Sequence, residues 1–297
     1  MDTISFDRIG EKLVRAQALT DDDAQELAAT YDIISLGALA DSVRRHKHGA
    51  ATTFIRVAGV ALADAIEGRV EWAPAAHELR ILGPPSSLDE AQSAVRAVSA
   101  AAPPLPVTGF SLADLLTLAG DRQGLVAFLR VLKDEGLSFI AEAPVDEIGD
   151  LEAALAASRD AQLPVARLTV GSPSSSGPVA VFRRVLEAHR AMDAVSVFAP
   201  LPRRQGPEPS TGYEDVRAVA LARILLPIDH VQVDWQTHGP KLAQVALTFG
   251  ADDIDNVAAA DDLSQGSRRA PLEEIRRNIR AAAFEPVERD PQFVPVR

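Results

Sequence analysis

The sequence predicts an α/β fold in which eight βα units close into a (β/α)8 barrel of the TIM type, and three observations support this. Short apolar, β-branched segments alternate with longer helical segments from about residue 50 onward. Several short segments run through a loop rich in Gly, Pro or Ser directly into a helical segment, which is typical of parallel βα units. The chain has 297 residues, enough for eight such units in one structural domain.

Eight strands are predicted, and together they place the barrel at residues 50–258. Each is a short run rich in β-branched or apolar residues, and most are bounded by residues that favour turns. The predicted strands lie near Thr52–Val57, Glu78–Leu82, Leu105–Thr108, Leu137–Ala141, Val165–Val170, Ala194–Ala199, His230–Trp235 and Asp253–Val257.

Helical segments are expected on both sides of the barrel. In residues 1–49, Thr20 followed by three aspartates predicts the start of a helix that runs through Ala29, because such residues cap a helix and favour its positive end. A second helix is predicted over Ile33–His46. In residues 259–297, Pro271 is well placed to begin a helix, and the remaining tail is expected to wrap the barrel surface in an extended conformation.

Composition and charge exclude several classes of function. The net charge of −12 and the pI near 5.0 argue against binding to nucleic acid or to anionic membranes. No segment approaches the roughly 20 apolar residues of a membrane-spanning helix. The first residues lack the layout of a signal peptide, so a cytoplasmic protein is expected. The chain contains no cysteine, which excludes disulfides, thiolate nucleophiles and cysteine-bound metal centres.

Three blocks of sequence carry a family resemblance, in the right order along the chain. They are LTDDDAQELAATYDIISLGALADSVRRHKHG, GFSLADLLTLAGDRQGLVAFLRVLKDEGL, and GPKLAQVALTFGADDID with the later FEPVERD. Together they resemble the radical S-adenosylmethionine enzymes of the futalosine route to menaquinone, of the aminofutalosine synthase and dehypoxanthinyl futalosine cyclase type. The resemblance implies a radical-SAM-like barrel and an iron–sulfur cluster held by three cysteines.

The chain departs from that family where the cluster would be bound. The family carries Cys-x3-Cys-x2-Cys after the first strand, whereas residues 58–77 here read AGVALADAIEGRVEWAPAAH. His77 is the only other metal ligand near this gap, and one histidine cannot hold such a cluster. A cysteine-bound 4Fe–4S cluster is therefore excluded, and no other cofactor or metal is predicted. The spacing of Val60, Leu62, Ala63 and Ile66 predicts a helix with one buried face. This face is expected to fill the space that the cluster would occupy.

Other positions that shape the family's cofactor site also differ. After the second strand only Gly83 remains of an expected glycine pair, and Pro84 follows it, without a backbone donor. Ala143-Pro144 and Asn256-Val257 replace further family residues after the fourth and last strands. Binding of S-adenosylmethionine is therefore not expected, and Gly83 is a remnant of its site.

The densest polar group at a strand end is HVQVDWQTHGPK, residues 230–241. Alternation along a strand places Gln232 and Asp234 inside the barrel if the valines face the helices. Asp234 and His238 are the candidate catalytic residues, and Trp235 and Gln236 are candidate ligand contacts. Alternatively, Trp235 caps the barrel and Asp234 is an interior carboxylate whose hydrogen bonds are satisfied.

Two further groups are candidate ligand contacts. Asp252 and Asp253 follow Gly250 and are candidates for a metal or ribose-hydroxyl site, or alternatively are loop caps. Arg203 and Arg204 lie at the end of the sixth strand and are candidates for binding a carboxylate or phosphate, or alternatively belong to an exposed loop.

Two more segments carry weaker signals of a binding site. The loop GSPSSSGP, residues 171–178, precedes a helix and could cradle a phosphate, but it lacks the lysine of a phosphate loop. His46 and His48 are not predicted to bind a metal, because no partner ligand stands beside them.

Two functional hypotheses follow. In the first, the protein is a cluster-less pseudoenzyme that binds or scaffolds in menaquinone biosynthesis, pairing with a cysteine-bearing homologue or another enzyme of that pathway. In the second, it is a non-radical lyase or hydrolase that acts on a futalosine-like small molecule through Asp234, His238 and Asp252–Asp253. An enzyme should bring these groups together in a pocket, whereas a scaffold should have a collapsed mouth and an apolar docking patch.

Overall fold

A computed structural model describes residues 6–15, 17–172, 177–192, 196–204, 210–261 and 270–296. Its strands are β1 (Ala51–Ala61), β2 (Glu78–Leu82), β3 (Val107–Ser111), β4 (Leu137–Pro144), β5 (Leu168–Val170), β6 (Val197–Pro202), β7 (His230–Asp234), β8 (Asp253–Ala258) and β9 (Glu285–Glu288). Its helices are α1 (Phe6–Val14), α2 (Asp21–Ala29), α3 (Ile33–His48), α4 (Leu62–Ile66), α5 (Leu88–Ala101), α6 (Leu112–Ala119), α7 (Arg122–Asp134), α8 (Leu151–Ala161), α9 (Pro178–Met192), α10 (Gly212–Leu225), α11 (Trp235–Leu247) and α12 (Pro271–Ala281).

Strands β1 to β8 form the closed parallel barrel that the sequence predicts. Each strand pairs in parallel with the next along the chain, and β1 pairs with both β2 and β8. At the closure, Val57 pairs with Glu78 on one side and Thr53 with Asp253 on the other. The carboxyl ends of all eight strands therefore lie at one end of the barrel, the mouth, and their amino ends at the other, the floor.

Most predicted strands match observed ones, with differences at their ends. The fifth is shorter than predicted, because Val165 forms only an isolated bridge with Ile140. The seventh ends at Asp234, and Trp235 instead begins α11. Ala194 of the predicted sixth strand lies outside the described residues.

The C-terminal tail contributes a ninth strand, where the sequence predicts only an extended wrap. β9 runs parallel to the first part of β1, from the pair Ala51 and Glu285 to the pair Phe54 and Glu288. β1 needs this partner because β2 pairs only with its last five residues, Val57–Ala61. Without β9 the first half of β1 would present unpaired backbone groups along one edge.

The N-terminal helices dock on the outside of the barrel. Thr20 begins α2 as predicted, in a reciprocal capping box with Asp23, and α3 continues two residues past its predicted end. α1 was not predicted; Arg8 and Lys12 on this helix both donate to the buried carboxylate of Asp23, at 2.6 Å each. Helix α3 packs along α10, which fastens the extension to the barrel.

The segment at residues 58–77 differs from its predicted form. β1 continues through Ala61, so α4 is only five residues long. Val60 and Leu62 are buried as predicted, but Ala63 is exposed and Ile66 is 41% exposed. The prediction of one continuous helical face was wrong because Val60 follows the two-residue repeat of a strand.

The apolar core lies between the barrel wall and the surrounding helices. Helix α5 illustrates the pattern, since its buried residues recur every three or four positions. They are Ala91, Ala94, Val95 and Val98. Within the described residues, no helix combines the length and apolar character that crossing a membrane would require.

Candidate functional site at the barrel mouth

The barrel lumen is polar, and strand alternation decides which side chains enter it. On β7, Val231 and Val233 are buried among the apolar residues of the core. Gln232 donates to Asp253 on the neighbouring strand β8, and Asp234 accepts from Arg203. Gln232 and Asp234 therefore face inward, as the sequence predicts.

The lower part of the lumen is centred on the carboxylate of Asp253. Arg289 donates to both oxygens, at 2.6 Å each, while Thr53 donates at 2.5 Å and Gln232 at 2.7 Å. Burial alone would raise the pKa of Asp253, but the charge and hydrogen bonds of Arg289 hold it below its ordinary value. The carboxylate is therefore charged and enclosed by donors.

The upper part of the lumen is centred on the carboxylate of Asp255. Arg80 donates to both of its oxygens, at 2.8 and 2.9 Å, and Arg167 donates to the same group. Glu78 accepts from Arg80 at 2.7 Å and from Thr108 at 2.6 Å. The buried carboxylates of the lumen are thus paired with buried guanidinium groups, which compensate the cost of removing both charges from water.

Above these pairs, Asp234 lies where β7 opens into the mouth. Its carboxylate accepts from Arg203 at 2.7 Å, from the backbone of Thr237 at 2.8 Å and from Asn256 at 3.2 Å. Burial would raise its pKa, but the charge of Arg203 and these hydrogen bonds lower it to about 2. Asp234 is therefore ionised at neutral pH and caps α11, as the alternative interpretation of this carboxylate expects.

His238 lies on the first turns of α11. Its Nε2 is 3.2 Å from the carbonyl oxygen of Pro202, while its buried Nδ1 has no hydrogen-bond partner within the described residues. Burial lowers the pKa of His238 below its ordinary value. The ring is therefore neutral at neutral pH, with one buried nitrogen that has no hydrogen-bond partner within the described residues.

The two neighbouring candidates on α11 differ in exposure. Trp235 is only 7% exposed and packs within the apolar core, which agrees with the alternative interpretation that it caps the barrel. Gln236 is exposed. Gly239, with φ of 78°, lies between two helical stretches, in a conformation that favours glycine.

Arg203 and Arg204 have different surroundings. Arg203 is 14% exposed and lies between Asp234 and Glu142, whose Oε2 is 3.3 Å from its Nε. Arg204 is exposed and pairs with Glu147. Arg203 is therefore the arginine that the structure places in the mouth, and Arg204 lies at its rim.

The loop that begins at Gly171 already holds an anion from the chain itself. The backbone N–H groups of Gly171 and Ser172 donate to the two oxygens of Asp146, at 2.7 and 2.9 Å. A carboxylate therefore occupies the donors that a phosphate would use. The rest of the predicted cradle, residues 173–176, lies outside the described residues.

Asp252 and Asp253 do not meet Asp234 and His238. Asp252 precedes β8 and Asp253 begins it, on the floor side of the barrel. Asp234 instead ends β7, and His238 follows it. The convergence that the lyase or hydrolase hypothesis requires is therefore not found. The sequence places these residues on or beside two adjacent strands. Because the strands are parallel, the start of one and the end of the other lie at opposite ends of the barrel.

Several residues of this network were not predicted from the sequence. Arg80 and Asp255 could have been found, because each occupies an inward position two residues from another polar residue on a predicted strand. Arg289 lies in the tail and gives no local signal. Its role appears only once β9 is paired with β1.

The end of β1 does not fit an iron–sulfur cluster. The buried side chains there are aliphatic, namely Val60, Leu62 and Ala65. His77 is turned to Glu288, with Nε2 2.8 Å from Oε1. Gly83 keeps a φ of 108°, and a side chain added there would meet Leu62. Thiolate ligands are absent from the whole sequence, so no residue set here can hold the cluster.

Sequence comparisons match about a third of the chain. Residues 201–296 match a family model described as the CofH/MqnC C-terminal region. The chain is 36% identical over 108 residues to the 5-amino-6-(D-ribitylamino)uracil–L-tyrosine 4-hydroxyphenyl transferase of Methanopyrus kandleri, which covers 33% of this chain and 29% of that protein. It is 35% identical over 96 residues to the aminodeoxyfutalosine synthase of Streptomyces coelicolor, covering 30% and 24%. The match spans less than a third of the length of these curated relatives.

Solved structures match nearly the whole chain. Methylornithine synthase (PylB) superposes with a TM-score of 0.64 at 13% identity, covering 94% of this chain and 97% of that one. The FeFe-hydrogenase maturase HydG from Carboxydothermus hydrogenoformans gives a TM-score of 0.63 at 12% identity, covering 95% and 79%. At these identities the structures show a shared barrel fold.

Proposed function

Because the chain is a cysteine-less homologue of radical S-adenosylmethionine enzymes that include aminodeoxyfutalosine synthase, we propose that it is a pseudoenzyme. In this proposal it binds a small molecule or a partner enzyme of the futalosine route to menaquinone, and it catalyses no radical reaction. The partner would be a cysteine-bearing homologue or another enzyme of that pathway, in the cytoplasm.

One observation carries the proposal: the end of β1 offers aliphatic side chains where the relatives' chemistry needs thiolates. Val60, Leu62 and Ala65 are buried there, and no cysteine exists elsewhere in the chain to replace them. By contrast, residues 201–296 still match the family. A C-terminal region that still matches the family, beside a strand end without cluster ligands, is the pattern expected when a protein keeps binding and loses catalysis.

The charges of the lumen support the same view. A carboxylate that acts as a general base needs a pKa near the working pH, but Asp234 has a pKa of about 2. Asp253 and Asp255 are each enclosed by arginine donors. These groups are suited to holding the barrel together and to orienting a ligand above them, rather than to accepting protons.

The first test is reconstitution of the purified protein with iron and sulfide under anaerobic conditions. We expect no 4Fe–4S absorption and no cleavage of S-adenosylmethionine, with the aminodeoxyfutalosine synthase of Streptomyces coelicolor as the positive control. A cluster spectrum together with S-adenosylmethionine cleavage would refute the proposal.

The second test addresses binding at the mouth. The protein would be titrated with aminodeoxyfutalosine by calorimetry, in parallel with Arg203→Met and with the control Arg96→Met, whose side chain pairs with Glu135 on the surface. We expect Arg203→Met to weaken binding by about tenfold or more, as loss of a charged hydrogen bond does. An association assay with a cysteine-bearing homologue would test the scaffolding alternative. Absence of both ligand and partner binding would contradict the proposal.

A second candidate function is a non-radical lyase or hydrolase acting on a futalosine-like molecule at the mouth. The observation that favours it is the buried Nδ1 of His238, which lacks a partner within the described part of the chain and belongs to a neutral ring able to accept a proton. Incubation of wild type and His238→Asn with futalosine-type nucleosides, followed by chromatography, tests it. Turnover by wild type that His238→Asn abolishes would favour this function over a pseudoenzyme.

A further inference from the structure

Three side chains from distant parts of the sequence meet at the floor of the barrel, on the face opposite the mouth. They are His48 at the end of α3, His230 at the start of β7 and Asp252 just before β8. We call this group the floor cluster. One possible ligand atom from each residue lies within 4.8 Å of the other two. The cluster plays no part in the proposed function.

We propose that the floor cluster is a structural site for a divalent transition metal, with Zn²⁺ as its natural occupant. The sequence predicts no metal here because His48 has no ligand beside it in the chain. The fold supplies the missing ligands from positions about 180 and 200 residues further along.

The separations of the ligand atoms suit a tetrahedral metal. Nitrogen and oxygen ligands about 2.0–2.1 Å from Zn²⁺ lie roughly 3.3 Å from one another. Nε2 of His48 is 3.4 Å from Oδ2 of Asp252. Nδ1 of His230 is 2.6 Å from the same oxygen, so this pair has to open by less than about 1 Å to admit the ion.

Asp252 is already oriented as a metal ligand would be. Its Oδ1 accepts from the backbone N–H of Val231 at 2.8 Å and from the guanidinium of Arg223. These donors leave Oδ2 directed toward the two histidines. Hydrogen bonds to the non-ligating oxygen hold a carboxylate in place and are a regular part of metal sites.

Solvent reaches the site from the histidine side. The side chains of His48 and His230 are 20% and 17% exposed, whereas Asp252 is only 2% exposed. An ion can therefore enter from water and keep a water molecule in the fourth position.

Two effects oppose metal binding and determine its strength: the loss of histidine hydrogen bonds and the repulsion from nearby positive charges. The proton of each imidazole has to occupy the nitrogen that does not face the ion, so the His48 hydrogen bond to Asp229 and the His230 hydrogen bond to Asp252 are lost. The charges of Arg223 and Lys47 also lie close by. The site therefore selects ions that prefer imidazole, such as Zn²⁺, Co²⁺ and Ni²⁺, over Mg²⁺ and Ca²⁺.

A bound ion would fasten three elements that are far apart in the sequence. It would join the end of α3 to the first residues of β7 and to the residue before β8. The C-terminal tail is attached to the same place, because the ring of Phe293 stacks on His230 with centroids 4.0 Å apart. Floors of such barrels serve stability rather than catalysis, and a structural ion fits that role.

The test uses full-length protein without a polyhistidine tag, stripped of metal with a chelator and then dialysed. Co²⁺ is titrated while visible absorption reports tetrahedral coordination, and thermal unfolding is measured with and without Zn²⁺. We expect one Co²⁺ per chain, displaced by Zn²⁺, and a rise in Tm with Zn²⁺ but not with Mg²⁺. His48→Ala should weaken Co²⁺ binding by more than about tenfold and abolish the Tm rise, since one of three ligands is lost.

His46→Ala is the matched control, because His46 is exposed on the same helix two residues away and lies outside the cluster. It should bind Co²⁺ as wild type does. Circular dichroism verifies that His48→Ala is folded, and His48→Gln serves as a second variant of closer size. The proposal is overturned if wild type shows no tetrahedral Co²⁺ spectrum, or if folded His48→Ala or His48→Gln binds Co²⁺ as tightly as His46→Ala.

Discussion

Arg289 and Asp253 form a bidentate ion pair inside the floor end of the barrel, with both N–O distances at 2.6 Å. Arg289 comes from the tail that follows β9, and Asp253 is the first residue of β8. The ring of Phe293 covers the guanidinium, 3.8 Å from its centre. The tail therefore closes the floor end of the lumen, and its Arg289 supplies the positive charge that pairs with Asp253.

Removing this arginine should destabilise the whole domain. Arg289→Met leaves the carboxylate of Asp253 buried with only neutral donors, and breaking a buried pair in this way costs about 3–5 kcal/mol. Urea unfolding followed by circular dichroism measures the loss. Arg96→Met, which removes an exposed arginine, should leave the unfolding midpoint unchanged. Equal midpoints for Arg289→Met and wild type would show that the pair contributes nothing.

Asp255 should be even less tolerant of neutralisation. Two buried guanidinium groups, those of Arg80 and Arg167, donate to this one carboxylate, and of the two only Arg80 also pairs with Glu78. Asp255→Asn keeps the size of the side chain but removes the charge, so we expect a loss at least as large as that of Arg289→Met, about 3–5 kcal/mol or more. The same urea experiment measures it, with Glu142→Gln at the partly exposed mouth as the control. A smaller loss for Asp255→Asn than for Glu142→Gln would contradict this interpretation.

The pairing of Asp234 predicts a pH dependence of stability. Its pKa in the folded protein is about 2, against an ordinary value of 3.8 for an aspartate, so the unfolded chain binds the proton more readily. The stabilisation, about 2 kcal/mol, is therefore fully present above pH ~4 and is lost as the pH falls through about 2. Asn is as good a helix N-cap as Asp, so Asp234→Asn removes the charge and keeps the cap of α11.

The measurement compares wild type with Asp234→Asn in urea at about pH 6 and again near pH 2.5, on either side of the ordinary aspartate pKa. Wild type should be more stable than Asp234→Asn at the higher pH. The difference between them should shrink at the lower pH, because Asp234 of the unfolded wild-type chain is then protonated and folding has to release that proton. A difference that stays constant across this range would mean that the charge of Asp234 does not contribute.

Close packing between α3 and Phe249, two residues after the end of α11, predicts a large effect of one methyl group. A Cβ added to Gly37 would lie 2.7 Å from the ring of Phe249, so Gly37→Ala should destabilise the protein by about 1–3 kcal/mol through overpacking. Gly10→Ala is the control, since its nearest neighbour would be at 3.8 Å and alanine favours helix. Thermal unfolding of both variants should place Gly37→Ala below wild type and Gly10→Ala at or above it.

Local patterns in the sequence were sufficient for most of the fold. The alternation of apolar segments with helices predicted the barrel, and Thr20 and Pro271 predicted the starts of α2 and α12. These features depend on neighbouring residues and on the hydrogen bonds of one turn or strand. Helix α1 and strand β9 were missed because their positions depend on contacts with distant residues, such as Asp23 and β1.

The candidate site was predicted less completely for the same reason. Strand alternation correctly placed Gln232 and Asp234 inside the lumen. The grouping of Asp252–Asp253 with His238 failed, because residues at the start and at the end of parallel strands lie at opposite ends of the barrel. Proximity in the chain was a poor guide to proximity in space.

The sequence by itself determined that this chain folds as a barrel of βα units and that it has no thiolate to bind an iron–sulfur cluster. Both follow from residue type and short-range order. Only the tertiary structure decided that Arg80 meets Asp255 and that Arg289 meets Asp253, because each pair requires closure of the barrel and the register of strands that are far apart in the chain. The charged side chains of the lumen are therefore paired only in the folded protein. Burial there makes each unpaired charge costly.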